Sequence, residues 1–196
     1  MSKVWALPDF GHDAASKARA YRELDAALRA LLAGERDLIA NLANTAALIF
    51  HALPALNWAG FYLLDAAGRE LVLGPFQGKP ACVRIAVGRG VCGSAAARRE
   101  TVLVPNVHEF LGHIACDAAS NSEIVVPLIA RSGAQAGQLL GVLDLDSPEF
   151  ARFDAADQEG LQRLVETLLQ ESESAGFARP LPQHAEPPTA VRGREP

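Results

Sequence analysis

Cys82, Cys92 and Cys116 are the three cysteines of the chain, ten and then twenty-four residues apart, and two histidines, His108 and His113, precede the last of them. Cys116 opens a run of small polar residues, CDAASNSE, that ends at Glu123 where an apolar stretch begins. A thiol in such a run has space and hydrogen-bond donors around it. An imidazole brought close would favour the thiolate, the form that acts as a nucleophile. Strand alternation across Leu143-Asp144-Leu145-Asp146 sends Asp144 and Asp146 to one face. With Glu123 at the end of a neighbouring strand, three carboxylates would repel one another unless a cation shares them, which points to recognition of an ammonium group.

Each group also has a plainer reading. A cysteine is often a small buried hydrophobe, and three is an odd number for a disulfide framework, so reactive thiols, metal ligands and core residues all stay open. His113, Cys116, Cys82 and Cys92 offer donors that suit zinc. Only the His113/Cys116 pair has the two-to-four-residue spacing of a structural zinc knuckle, so no metal is expected. Gly88-Arg89-Gly90-Val91-Cys92-Gly93 matches G-x-G-x-x-G, but a dinucleotide motif belongs in the first βα turn of a parallel unit. Here two helices and a hairpin come first, and a turn that lets backbone pass close to a pocket is the better account.

The elements that must position these groups follow from periodicity. Tyr21, Leu24, Leu28 and Leu31 recur at steps of three and four and predict a helix over Ala14 to Leu32, stopped by Gly34. A second helix runs from Glu35 to His51, ahead of Pro54. Trp58 to Asp65 and Glu70 to Leu73 read as a hairpin. Cys82 to Val87 is a short strand, Val91 to Arg99 a short helix and Thr101 to Val104 a brief strand. Glu123 to Arg131 and Gln138 to Asp146 are the strongest strand signals and predict an antiparallel hairpin, with Pro127 marking a bulge or an edge. A last helix starts at the N-cap Asp154 and carries Leu161, Leu164, Val165, Leu168 and Leu169 on one stripe. This order is α+β rather than alternating βαβ. The stretch 1–13 reads as a flexible arm, 14–176 as one domain, and 177–196, with five prolines, as a disordered tail.

A chain of 196 residues with 49% apolar and 21% charged residues is an ordinary globular composition. The net charge of −5, with no cluster of Lys and Arg interleaved with aromatics, argues against nucleic acid. The first residues lack the apolar core of a signal peptide, and about 18 apolar residues never run together as a membrane span requires. A cytoplasmic location and no membrane association are expected.

The stretches NWAGFYLL, LGPFQGKPACVRIAVGRGVCG, GHIACDAASNSEIVVPL and GVLDLDS closely resemble the free methionine-(R)-sulfoxide reductases, which are built on a single GAF domain. The likeness runs from about Glu35 to Leu169, and GHIACDAASNSEI is specific to that family. The resemblance implies a GAF-like fold: a central antiparallel β-sheet flanked by helices, the first and last on one side, and commonly a homodimer. It implies reduction of the R-sulfoxide of free methionine with thioredoxin as external reductant and no bound cofactor. Cys116 then looks like the catalytic thiol, Cys82 like the resolving thiol and Cys92 like the third family cysteine. A sulfenic acid on the first thiol would condense to a disulfide with a nearby one. Glu123 would supply the proton for the departing oxygen, Trp58 would pack on the substrate methyl, and Asp144 and Asp146 would pair with its ammonium. The competing expectation is a ligand-sensing GAF module without catalysis.

Overall fold

The computed structural model describes residues 8–11, 13–114, 118–131 and 135–172. The expected tail, and Cys116 with the residues on either side of it, lie outside the described residues.

Helix α1 (Ala14–Leu32) starts at Asp13, whose side chain accepts from the Ser16 amide while the Ser16 side chain returns the bond, a capping box. It turns off at Gly34, which sits at φ +87°. Helix α2 (Leu38–Ala52) begins three residues later than the periodicity suggests, because the carboxylate of Asp37 accepts from Ala40 and caps it there. Then come β1 (Trp58–Leu64) and β2 (Glu70–Gly78), the latter five residues longer than its apolar core; its Gly-Pro-Phe-Gln-Gly end stays paired to β1 after a register shift between Gly60 and Tyr62. Strand β3 (Arg84–Ala86) leads into α3 (Gly90–Arg98), and β4 (Val102–Val104) follows. A 3-10 turn over Val107–Glu109 has no periodicity that would announce it. Strands β5 (Ser122–Ile129) and β6 (Leu139–Ser147) and helix α4 (Ala155–Glu171) complete the order.

All six strands form one antiparallel sheet in the order β3-β2-β1-β6-β5-β4. Pro127 of β5 pairs with Val142 of β6, whereas β4 reaches β5 only as far as Val125. Pro127 therefore stands where β5 is locally an edge, and its missing amide costs no ladder bond. One face of the sheet packs on α1, α2 and α4 through a core that includes Leu24, Leu28, Leu42, Ile49, Leu143 and Leu164. The other face carries α3 and a smaller cluster around Trp58, Tyr62, Cys92 and Val125. The first and last helices share a side, as expected. Phe10, within the stretch expected to be a loose arm, is 4% exposed and meets the Tyr21 ring edge-on at 5.0 Å. An aromatic ring of that size is worth enough buried area to tie down a short arm.

The helix layer is fastened by a buried carboxylate. Asp157, fully buried, takes Lys17 Nζ at 2.6 Å, the Tyr21 hydroxyl at 2.9 Å and Arg152 Nη1 at 3.2 Å. This knot joins α1, α4 and the β6–α4 connection, and leaves the opposite face of the sheet free to build a pocket.

Candidate active site

Strand register brings the site together. Trp58 of β1 lies opposite Asp146 of β6, and Asp146 lies opposite Glu123 of β5, so one rung of the sheet carries all three. The next rung on that face holds Gly60, Asp144 and Val125. Gly60 is required there: a Cβ would stand 2.3 Å from Phe76 Cβ and 2.6 Å from the far edge of the Trp58 ring. Its absence lets the Trp58 indole lie along the strand, stacked with Phe76 at 5.4 Å and Tyr62 at 5.8 Å.

Helix α3 delivers Cys92 over this floor. The turn before it is made by Gly88 and Gly90 at positive φ, and Gly93 is pressed so close to β3 that a Cβ would sit 2.4 Å from the Ala86 carbonyl oxygen. The glycine motif thus serves close packing of backbone beside a pocket, with Gly90 and Val91 in the wall. Cys92 is a free, buried thiol, and its Sγ lies 3.8 Å from Glu123 Oε1. Cys92, Glu123 and Asp144 present donor atoms that all fall within 4.8 Å of one another. Asp146, half-buried, lines the same pocket.

Burial pushes Glu123 well above the usual carboxylate range, with the charges of Asp144 and Asp146 adding to it. Burial likewise raises Asp144 to about 6. The Cys92 thiol is pushed up by its burial and then by the neighbouring acids. Burial thus favours the protonated forms of Glu123 and Cys92 beside an Asp144 that ionises near pH 6. His113 Nε2 stands 3.8 Å from Glu123 Oε2, but desolvation holds the imidazole below its ordinary value, so it faces the acid as a neutral ring. His108 is turned elsewhere and bonds Asn121 at 2.9 Å.

Cys82 is half-buried and disulfide-bonded. It sits in a strap between β2 and β3 whose residues Lys79, Pro80 and Ala81 wall the pocket. Two side chains of β1 hold this strap: Trp58 Nε1 donates to the Lys79 carbonyl at 3.2 Å, and the Tyr62 hydroxyl donates to the Cys82 carbonyl at 3.0 Å. Tyr62 was not among the sequence candidates, although its position four residues after Trp58 on an alternating strand places it on the same face. Asn57 was also passed over. Its amide nitrogen bonds Ser120 Oγ at 3.0 Å, tying the loop beyond Cys116 to the start of β1. The structure thus unites Trp58, Cys92, Glu123, Asp144 and Asp146 in one pocket with the Cys82 strap above, and the expected position of Cys116 falls outside the described residues.

The pattern of the GAF domain family matches residues 37–171. A protein of Escherichia coli (strain K12) named free methionine-R-sulfoxide reductase is 54% identical over 153 residues, 78% of this chain and 88% of the relative. A Saccharomyces cerevisiae protein of the same name is 46% identical over 140 residues, 69% of this chain and 76% of the relative. The X-ray structure of the free methionine-R-sulfoxide reductase from Neisseria meningitidis in complex with its substrate superposes with a TM-score of 0.75 at 46% identity, covering 85% of this chain and 94% of that one.

Proposed function

The chain belongs to the GAF-domain family and, within it, to the free methionine-R-sulfoxide reductases, and on that premise we propose that its pocket reduces free L-methionine-(R)-sulfoxide by cysteine chemistry. The observation that carries this reading is the convergence of an aromatic wall, Trp58, with three carboxyl groups, Glu123, Asp144 and Asp146, around one pocket. A flat indole suits the methyl and methylene groups of the substrate. Asp144 and Asp146 suit the ammonium, which supplies the positive charge their mutual repulsion calls for.

The chemistry assigns Cys116 as the attacking thiolate. It bonds to the sulfoxide sulfur, the oxygen passes to the cysteine, and one added proton leaves methionine and a sulfenic acid as products. The two electrons come from the cysteine sulfur. Glu123, whose carboxyl is pushed up by burial and by the charges of Asp144 and Asp146, is suited to give that proton. The Cys82 thiol then displaces the sulfenic oxygen as water and forms a disulfide, which an external dithiol of the thioredoxin class reduces by exchange. Its place on the strap at the pocket wall supports the resolving role. Cys92 suits a third, auxiliary thiol, because its raised pKa leaves it a poor nucleophile at neutral pH. A homodimer working in the cytoplasm completes the proposal.

The test uses reduced protein and free methionine-(R)-sulfoxide without any reductant. Each chain should release one methionine and lose two thiols. A sensing module would bind the amino acid and lose none, and that outcome ends the reductase reading.

A further inference from the structure

We propose that Cys92, Glu123 and Asp144 form a binding site for a thiophilic divalent cation of the zinc class, and that such an ion shuts the pocket by taking the place of the substrate ammonium. Only the second half rests on the reductase reading. The three donors come from α3, β5 and β6, separate rigid elements that converge without any partner chain. Their ligand atoms lie within 4.8 Å of one another. In a tetrahedral zinc site, with Zn–S near 2.3 Å and Zn–O near 2.0 Å, the sulfur-to-oxygen edge is about 3.5 Å. Cys92 Sγ and Glu123 Oε1 are already 3.8 Å apart, so that edge needs a contraction of a few tenths of an ångström, and Asp144 closes in from within 4.8 Å.

A second observation points to a ligand. Asp144 is 6% exposed, and its Oδ1 is buried with no hydrogen-bond partner among the described residues. A buried acceptor left in that state is costly, and a cation between it, Glu123 and the thiolate supplies the missing partner. His113 Nε2, 3.8 Å from the other Glu123 oxygen, offers an imidazole at the edge of the same space. One sulfur, two carboxylate oxygens and a nearby imidazole nitrogen are a donor set for zinc rather than for magnesium or calcium, which take oxygen alone. On binding, the Cys92 proton and the Glu123 proton both leave to solvent. The ion brings two positive charges to acids that an ammonium meets with one.

The experiment uses Co²⁺ as the probe, on full-length protein with Cys82 in its disulfide and Cys92 free, as in this structure. Thiolate ligation gives Co²⁺ a sulfur-to-metal charge-transfer band in the near ultraviolet, and Zn²⁺ should abolish it by displacement. Wild type should show the band at about one ion per chain. C92S should lack it and bind Zn²⁺ at least about tenfold more weakly. D144N should keep the band but need about tenfold more Co²⁺ to reach it, which guards against a C92S protein that merely folds badly. An equal band in C92S, or none in wild type at saturating Co²⁺, overturns the metal site. Free methionine should displace the Co²⁺. If Cys92 ligates the ion and methionine leaves it undisturbed, the metal site holds and the shared ammonium place is refuted.

Discussion

The hydroxyl of Tyr62 donates to the carbonyl of Cys82 across 3.0 Å, so a side chain on the pocket floor holds the backbone of the proposed resolving thiol. Tyr62→Phe keeps the ring stacked on Trp58 and removes only that bond. A hydrogen bond of about 0.5–1.5 kcal/mol corresponds to a slowing of disulfide formation of roughly two- to tenfold. Release of methionine in a single turnover should change by less than about twofold, and a sulfenic acid should accumulate that a dimedone trap can count. Equal slowing of both steps would show that the ring shapes the pocket rather than placing Cys82.

The cysteine roles separate by a different measurement. Cys116→Ser should form no methionine even in one turnover, because no other thiol then takes the oxygen. Cys82→Ser should release the first methionine and fail to recycle with thioredoxin. If Cys116→Ser still yields stoichiometric methionine, the nucleophile is Cys92 and its raised pKa must fall when substrate binds.

The sequence was legible where chemistry and alternation coincide. The period of two across Leu143-Asp144-Leu145-Asp146 was sufficient to place both acids toward one pocket, and strand pairing brought Glu123 beside them. What stayed hidden was set by contacts between distant segments. Nothing local in FYLL says that Tyr62 reaches the strap of Cys82, twenty residues on. Nothing in FDAADQ says that Asp157 meets Lys17, Tyr21 and Arg152. The extension of β2 to Gly78 was missed because Gly, Pro and Gln signal a turn, whereas pairing with β1 overrides that preference.

Asp157 supplies the stability test. Removing its carboxylate in Asp157→Ala leaves Lys17, Arg152 and the Tyr21 hydroxyl facing a void, with Lys17 and Arg152 only 13% and 7% exposed. Breaking such a buried pair costs about 3–5 kcal/mol. The urea midpoint should drop accordingly with little change in slope. A loss below about 1 kcal/mol would mean that water enters and replaces the carboxylate.

Asp146 bears on why the amino acid must be free. A peptide nitrogen carries no charge and its chain continues past the pocket, so binding would set an uncharged amide against Asp144 and Asp146 in place of an ammonium. Asp146→Asn should raise KM for free methionine-(R)-sulfoxide by about tenfold, the loss of a charge-assisted bond of roughly 1.5–3 kcal/mol. N-acetylmethionine-(R)-sulfoxide should be a poor substrate for wild type. Similar kcat/KM values for the two sulfoxides would remove the ammonium from the account and leave the thiol chemistry untouched.

Asp144 links the pocket to stability through pH. Burial raises its carboxyl to about 6 in the folded chain, against about 3.9 in an unfolded one. The folded state therefore binds this proton more tightly, so the group favours folding at low pH and that contribution is lost as pH rises from about 4 through 6. Above that window its ionisation opposes folding by on the order of 2–3 kcal/mol. Asp144→Asn removes the charge while keeping the shape, so it should raise Tm at pH 8 by several degrees, with the gain shrinking toward zero at pH 4. The same variant should bind free methionine worse, since the destabilising charge is the one the ammonium answers. Methionine should also raise the wild-type Tm more at pH 8 than at pH 5, where Asp144 is already protonated. If Asp144→Asn lowers Tm equally at both pH values, the charge is not opposing folding, and the buried acid is instead held by partners that the amide cannot replace.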